Sequence, residues 1–264
     1  VKAVFFSDLD GTLLDHDTYS YDLSLEGITL LREHSIPLIP VSSKTFYEIS
    51  GLMKKLSLNS PFAFENGSGI AWPGTEHEYY NLEIAGPGIE QLRDFFPEFE
   101  RISGKKLISL LSLDINEISE ITGLGMDLSA LAKKRLSSIP FLAQDKHLLS
   151  DDEIKEINLK LQGNGLHVTK GSRFNHLIPL QSCKDRAVKK IIEFYRGEYN
   201  DEILTGAAGD SINDLPMFEC VDHPYIIRKK DSSSVYFTRA KIINENGPEG
   251  FTLAVKDFLQ KVTG

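Results

Sequence analysis

Two short stretches of this chain concentrate acidic side chains where an apolar run gives way to a turn. Ser7-Asp8-Leu9-Asp10-Gly11-Thr12 directly follows the run that starts at Ala3. Alternate residues of a strand point to the same side. Asp8 and Asp10 therefore emerge together at the carboxyl end of the strand, where α/β sheets bind ligands. Gly11 allows a sharp turn there without a Cβ clash. Gly209-Asp210-Ser211-Ile212-Asn213-Asp214 follows a second apolar run ending near Ala208. Asp210 and Asp214, four apart at a helix start, can share one face. Each stretch alone also fits a structural role. Asp and Gly favour turns, Asp210 is a good N-cap, and Asp214 suits a helix dipole. Two such turns on one sheet bring four carboxylates together, and these repel one another unless a cation neutralises them. Hard oxygen ligands suit Mg²⁺, which keeps positions open for phosphate oxygens.

Ser42 and Lys184 have the types such a site needs. Ser42 stands at the tip of the run Pro37 to Val41, free to donate to a phosphate oxygen, though it is equally a polar turn residue. Lys184 opens a helical segment after Gln181-Ser182-Cys183, where a lysine is unfavourable for the dipole. It is either recruited for that position or a solvated surface lysine. Magnitude says why a cation is wanted. Two like unit charges at 4 Å repel by about 1 kcal/mol in water and about 4 kcal/mol at an effective dielectric of 20. A carboxylate approaching a phosphate dianion meets roughly twice that. A divalent metal and one positioned ammonium offset it, and hold the extra charge in the transition state.

The elements that must position these residues read as follows. Ala3 to Ser7, Pro37 to Val41 and Phe62 to Phe64 are short apolar runs of the kind found in buried parallel strands. Helical spacing separates them, at Ser24 to His34 and at Thr45 to Leu56, the latter opened by a Thr45-x-x-Glu48 capping box. This alternation predicts a doubly wound, Rossmann-like α/β core with a mostly parallel sheet. The rhythm changes after a strand at Tyr79 to Ala85 and the break Gly86-Pro87-Gly88. Helical segments fill Ile89 to Leu136, and another opens at Ser150-x-x-Glu153. Leu166 to Lys170 and Phe174 to Leu180 read as strands joined at Gly171-Ser172. From Lys184 the α/β rhythm resumes, with a helix to Tyr195, a strand at Ile203 to Ala208 and a helix at Ser211 to Glu219. Asn246-Gly247-Pro248 starts a last helix. The expectation is a core of residues 1–85 plus 181–264 and an inserted α+β cap of residues 86–180, with hinges near Ile84 to Gly88 and Leu180 to Cys183.

With 264 residues, 41% of them hydrophobic, the chain can bury a core without disulfide or metal staples. Lys and Arg number 29 against 38 Asp and Glu, a formal net charge of −9. Such a balance argues against nucleic acid or an anionic membrane as a partner. The balance otherwise reads as solubility, and an acidic enzyme that takes an anionic substrate needs local cations at its site. No apolar run reaches transmembrane length, and the apolar start, stopping at Asp8, is too short for a signal segment. Cys183 and Cys220 are too few for a disulfide framework and point to reduced thiols in a cytoplasmic protein.

Taken together, Asp8-x-Asp10-Gly11-Thr12, Ser42, Lys184 and Gly209-Asp210-x-x-Asn213-Asp214 come in the order of the four motifs of the haloacid dehalogenase-like hydrolases. The large insert between the second and third motifs resembles the Cof-type cap of that superfamily. Ser42-Ser43-Lys44-Thr45, Glu65-Asn66-Gly67-Ser68-Gly69, Lys170-Gly171-Ser172-Arg173-Phe174 and Gly247-Pro248-Glu249-Gly250-Phe251 further resemble the mannosyl-3-phosphoglycerate phosphatases, over nearly the whole chain. Its cap departs from the family pattern after Arg135, where the run is Leu136-Ser137-Ser138-Ile139.

That resemblance implies a Mg²⁺-dependent phosphatase that converts mannosyl-3-phosphoglycerate to mannosylglycerate. Asp8 would form an aspartyl phosphate, and Asp10 would protonate the leaving oxygen and then activate water. Asp8, the Asp10 backbone carbonyl and Asp210 would hold the metal, with Asp214 behind them. Ser42, Lys184 and Asn213 would bind the phosphoryl group. Arg173 would pair with a glycerate carboxylate, with Lys170 and Ser172 beside it. Ser43, Lys44, Asn66 and Gly67 would meet the organic part from the core side, although Asn66-Gly67 is also the best local signal for a two-residue hairpin turn. Other readings are a phosphatase of another sugar phosphate or glycosyl phosphoglycerate, a phosphomannomutase-like phosphotransferase, a sugar-phosphate sensor, and a non-catalytic metal module. The phosphotransferase needs its aspartyl phosphate shielded from water.

Overall fold

The computed structural model describes residues 2–74, 80–229 and 237–264. The chain opens with β1 (Ala3–Ser7), α1 (Leu25–Glu33), β2 (Leu38–Pro40), α2 (Phe46–Lys55), β3 (Phe62–Phe64), β4 (Gly69–Pro73) and β5 (Tyr80–Ile84). It continues through α3 (Ile89–Ser103), β6 (Leu107–Ser109), α4 (Ile115–Thr122), α5 (Met126–Ala132), β7 (Ile139–Ala143), α6 (Asp151–Lys160), β8 (Leu166–Lys170) and β9 (Asn175–Pro179). It closes with α7 (Lys184–Tyr199), β10 (Leu204–Gly209), α8 (Leu215–Phe218), β11 (His223–Arg228), β12 (Lys241–Asn246) and α9 (Gly247–Thr263).

Five parallel strands form the core sheet in the order β12-β11-β10-β1-β2. Strand β1 is buried on both faces, and its alternation separates two cores. Phe5 packs with residues of α1, α2 and α9, including Ile28, Ile49 and Phe258. Val4 and Phe6 pack on the other side with Val188 and Ile191 of α7 and Met217 of α8. Helices on both faces of a parallel sheet are the doubly wound arrangement that the sequence predicts. Helix α2 starts as expected, with the Thr45 hydroxyl accepting from Glu48 N–H (3.1 Å) and Glu48 accepting from Thr45 N–H (2.9 Å).

Between β5 and α7 lies the α+β cap. Its antiparallel sheet runs β6-β7-β9-β8. Leu92 and Phe99 of α3 and Ile157 of α6 cover one face, against Phe141, Val168 and Leu177. Leu110, Ile118 and Phe174 cluster with Leu142 on the other.

Three expectations change. Strand β3 is not a full member of the parallel sheet. It touches β2's extension only at a Val41–Ala63 bridge and instead leads the antiparallel sheet β3-β4-β5. The connection after β3 is not a two-residue hairpin turn either. Phe64 pairs with Gly69, and a 3₁₀ turn over Glu65–Gly67 lies between them. The segment Ser211 to Glu219 is a 3₁₀ turn at Ile212–Asp214 followed by the single-turn α8, rather than one helix. In the strand expected at Tyr79 to Ala85, Tyr79 lies outside the described residues.

Candidate active site

Register brings the two acidic turns together. Strands β1 and β10 run side by side with Ser7 opposite Ala208, and Asp8 N–H adds one further rung by donating to Ala208 C=O at 2.9 Å. Asp8 and Asp210 therefore leave neighbouring strand tips. On the other flank, Val41 N–H donates to Ser7 C=O at 2.8 Å, which brings Ser42 to the same edge. Ser42 is buried, and its hydroxyl accepts from Lys44 N–H at 3.2 Å.

Lys184, the first residue of α7, points into this edge rather than to solvent. Its ammonium donates to Asp8 Oδ1 at 2.9 Å and to Asp214 Oδ1 at 2.6 Å, with all three residues buried. Asp214 Oδ2 accepts from the N–H groups of Asp210 (3.1 Å) and Ser211 (3.0 Å). It thereby locks the second turn, and Ser211, not Asp210, stands at the N-cap. Burial, then Asp214 and Asp210 working against Lys184, pushes the Asp8 carboxyl up to about 8. Burial and Asp214 push Asp210 up to about 6, against the pull of Lys229. The Lys184 ammonium is pushed up as well, which keeps it charged. Burial opposes its charge, and Asp214 and Asp8 outweigh that.

Asp8, Asp210 and Asp214 offer carboxylate oxygens within 4.8 Å of one another, a group that could hold a metal ion. The fit is chemical as well as spatial. An all-oxygen set of buried carboxylates suits a hard divalent cation. Two lysines, Lys184 and the half-buried Lys229 (3.6 Å from Asp210), face three carboxylates. The turn also leaves room for the ligand set. A Cβ at Gly11, where φ is +78°, would sit 2.4 Å from Asp210 Oδ2.

The fourth carboxylate goes elsewhere. Asp10 turns away from this cluster and pairs with Lys44 Nζ at 3.0 Å. Lys44 also lies 3.7 Å from Glu48 and over the Tyr19 ring at 4.8 Å. So, among the described residues, the carboxylates that gather around one centre number three, and Asp10 faces the cap.

Two clefts open from the site. The larger, about 470 Å³, includes Lys184, Asn213 and Lys229 on the core side, and Lys170 and Ser172 on the cap side, with Asn66 also in its wall. The smaller, about 60 Å³, brings Asp10, Ser43 and Lys44 opposite Arg135, Arg173 and His176. Asn213 accepts from the Ser211 hydroxyl. Lys170 is largely exposed and pairs with Asp151 at 2.9 Å. Arg173 donates to His16 C=O at 3.1 Å and stacks on Tyr19, 5.3 Å from the ring centre. Gly67 packs its backbone against the Cys183 carbonyl, where a Cβ would come within 2.4 Å.

Several residues of this region carry no role in the motif reading: Tyr19, Glu65, Arg135, His176 and Lys229. Arg135 donates to Ser43 C=O at 2.7 Å. Tyr19 donates to Thr122 C=O at 2.7 Å, bridging the core loop and the cap. His176 is buried, and burial, then Arg135 and Lys184, push its imidazole down to about 3, so it is neutral. None has a local signature. A single Glu after an apolar strand or a Tyr in a polar loop is ordinary by composition.

A parallel core with a carboxylate pair after its first strand, and a cap over it, agrees with a family model described as haloacid dehalogenase-like hydrolase, which matches residues 5–114. Over 99% of its length the chain is 35% identical to a glucosyl-3-phosphoglycerate/mannosyl-3-phosphoglycerate phosphatase of Methanococcoides burtonii, covering 98% of that protein. It is 34% identical to a protein of the same description from Persephonella marina, over 85% of this chain and 84% of that one. A crystal structure from Thermoplasma acidophilum shares the fold, with a TM-score of 0.67 at 20% identity, covering 98% of this chain and 99% of that one. The chain thus belongs to the haloacid dehalogenase-like hydrolases and, within them, to the family of glucosyl-3-phosphoglycerate/mannosyl-3-phosphoglycerate phosphatases. Among the described residues, no helix is long and apolar enough to cross a membrane.

Proposed function

We propose that this chain removes the phosphoryl group from mannosyl-3-phosphoglycerate, and from its glucosyl counterpart, through a phosphoaspartate on Asp8. One juxtaposition carries the proposal. The Asp8–Lys184–Asp214 cluster opens onto a cleft whose other wall includes the cap residues Lys170 and Ser172. The two relatives' described activity supplies the substrate class.

In this proposal Asp8 attacks phosphorus and the bond to the glycerate oxygen breaks. Asp10 gives that oxygen its proton and later takes one from the attacking water. Its position in the smaller cleft, beside Lys44, suits a group that meets the leaving oxygen. Lys184 and Ser42 would hold the phosphoryl oxygens, with Asn213 beside them. Asp8, the Asp10 carbonyl and Asp210 would hold Mg²⁺, and Asp214 would steady Lys184 and the second turn. When bound, the ion supplies positive charge that favours ionised Asp8 and offsets the charge of the phosphate.

Arg173, with Ser172 and Lys170, would take the glycerate carboxylate, and Asn66 and Gly67 would approach the sugar. Residues 86–180 would act as the cap and residues 1–85 plus 181–264 as the core. The two free thiols fit a cytoplasmic setting.

The test is phosphate release with Mg²⁺ over both glycosyl phosphoglycerates and a panel of hexose phosphates. The glycosyl phosphoglycerates are expected to lead by about a hundredfold in kcat/KM, since a carboxylate-binding arginine left unpaired penalises substrates without that group. Turnover of hexose phosphates with none of the phosphoglycerates would overturn the proposal. Formation of a hexose 6-phosphate from the 1-phosphate without free phosphate would show a phosphotransferase instead.

A further inference from the structure

Strand β3 ends at a residue that the proposed chemistry leaves without a task. From Glu65 the chain passes through three successive residues of positive φ: Glu65 at +51°, Asn66 at +59° and Gly67 at +86°. Two of them carry side chains in a backbone region that disfavours side chains. Such strain persists only where the surroundings over-determine it, and it concentrates at functional sites.

The surroundings are unusually specific. The Glu65 carboxylate is fully buried. Its Oε1 accepts from Leu136 N–H at 2.8 Å. Its Oε2 accepts from Ser137 N–H at 3.0 Å and from the Ser138 hydroxyl at 2.6 Å. All these donors belong to the cap segment just before β7. That segment is tied in turn to the cap's first connection, because Ile89 N–H donates to Leu136 C=O at 2.8 Å and Ser137 Oγ to Pro87 C=O at 2.8 Å.

The backbone of the same turn faces the core. Glu65 N–H donates to Lys44 C=O and Asn66 N–H to Ser42 C=O, each at 2.9 Å. Gly67 lies against the Cys183–Lys184 peptide, with Cys183 O only 2.4 Å from where a Cβ would be. One turn therefore touches the Ser42–Lys44 segment, the Lys184 segment and the cap. Its backbone serves the first two and its side chain the third.

We propose that Glu65 is a positioning residue, a buried pin that fixes the 136–138 segment of the cap against the turn that aligns Ser42 and Lys184. The carboxylate seats the cap, while the backbone of the turn holds the Ser42 and Lys184 segments independently of it. A carboxylate is required because three donors and no acceptor converge on it. Gln has the same shape but would turn an NH₂ group towards one of those donors. The run Leu136-Ser137-Ser138 supplies the pin's partners.

The experiment compares the full-length chain with Glu65→Gln, Glu65→Asp and Ser138→Ala, with Mg²⁺ present. Each is assayed on mannosyl-3-phosphoglycerate, which needs the cap, and on p-nitrophenyl phosphate, which needs only the core. Hydrogen exchange at the Leu136 and Ser137 amides is read in parallel. Glu65→Gln is expected to lower kcat on the glycosyl substrate by about 10- to 100-fold. It should leave p-nitrophenyl phosphate turnover within about twofold and speed exchange at both amides. Glu65→Asp should recover part of each effect.

A parallel fall on both substrates, or lost glycosyl turnover with unchanged exchange at 136 and 137, would overturn the pin. If Glu65→Gln does not fold, Ser138→Ala decides, since it removes one donor and should show the same split more weakly. The substrate side rests on the function proposed above. Should the wild type ignore the glycosyl phosphoglycerates while hydrolysing p-nitrophenyl phosphate, that substrate assignment fails. The amide exchange still decides the pin.

Discussion

Lys184 stands between two carboxylates that cannot both be ionised, buried and unaccompanied. It reaches Asp8 from 176 residues away in the chain and Asp214 from 30. Its replacement by Met leaves both acids facing each other without a counter-ion. Breaking a buried pair of this kind costs about 3–5 kcal/mol. Urea unfolding without metal should show a loss of that order, and added Mg²⁺ should recover part of it by binding the folded form. A variant as stable as the wild type in metal-free buffer would mean that the lysine is not the counter-ion of these acids. Asp8→Asn keeps the shape and removes the proposed nucleophile. Phosphate release should fall by at least about a thousandfold, and acid quenching should trap no phosphoprotein. Turnover near the wild-type level would rule out a covalent route through Asp8.

At the scale of elements, the β8–β9 hairpin and the turn after β3 set the geometry of the clefts. His176 on β9 packs its ring against Gly171, where a Cβ would lie 2.8 Å from Nε2. The imidazole is held neutral, its pKa about 3 instead of 6.5. The folded-state value is depressed, so the unfolded chain takes up a proton first as pH falls. Its contribution to stability is full above about pH 6.5 and declines below it by about 1.4 kcal/mol per pH unit, towards pH 3. His176→Gln should therefore show a flatter dependence of unfolding free energy on pH between 6.5 and 5 than the wild type. Equal slopes would mean that His176 titrates normally. Gly67→Ala puts a Cβ into the Cys183 carbonyl at a φ of +86°. It should cost about 1–3 kcal/mol and slow turnover by moving Lys184. An unchanged Tm and kcat would show that the turn has slack.

For the whole molecule the question is how firmly cap and core engage. Contacts across them include Tyr19 to Thr122, Arg173 to His16 and the Thr45 hydroxyl to Leu131 C=O at 3.2 Å. Tyr19 contributes both a hydrogen bond and the ring beneath Arg173, together worth about 1–2 kcal/mol. Tyr19→Ala should raise KM for the glycosyl substrate by roughly 5- to 30-fold and leave p-nitrophenyl phosphate unaffected. A KM effect of equal size on both substrates would place Tyr19's influence in the core instead.

Features written in neighbouring residues are legible in the sequence. The apolar run Ala3 to Ser7 is a strand with those bounds, and the Thr45 and Ser150 capping boxes open α2 and α6 as their spacing demands. Two acidic turns after two apolar strands sufficed to place Asp8 and Asp210 at one edge, because strand direction and side-chain alternation are local rules. Strands β4, β6, β7, β11 and β12 were not legible. A short strand is defined by the partner it pairs with, and that partner lies elsewhere in the chain. The same holds for the choice of counter-ions. Asp10 could have joined the other carboxylates, but the fold brings Lys44 to it from the end of β2. Glu65 has no motif of its own and acquires its task only when the cap segment 136–138 arrives. By itself the sequence determined which groups could do the chemistry, since residue type and spacing along one strand or helix decide that. Tertiary structure decided which of those groups face one another, because burial and pairing depend on segments that meet only in the folded chain.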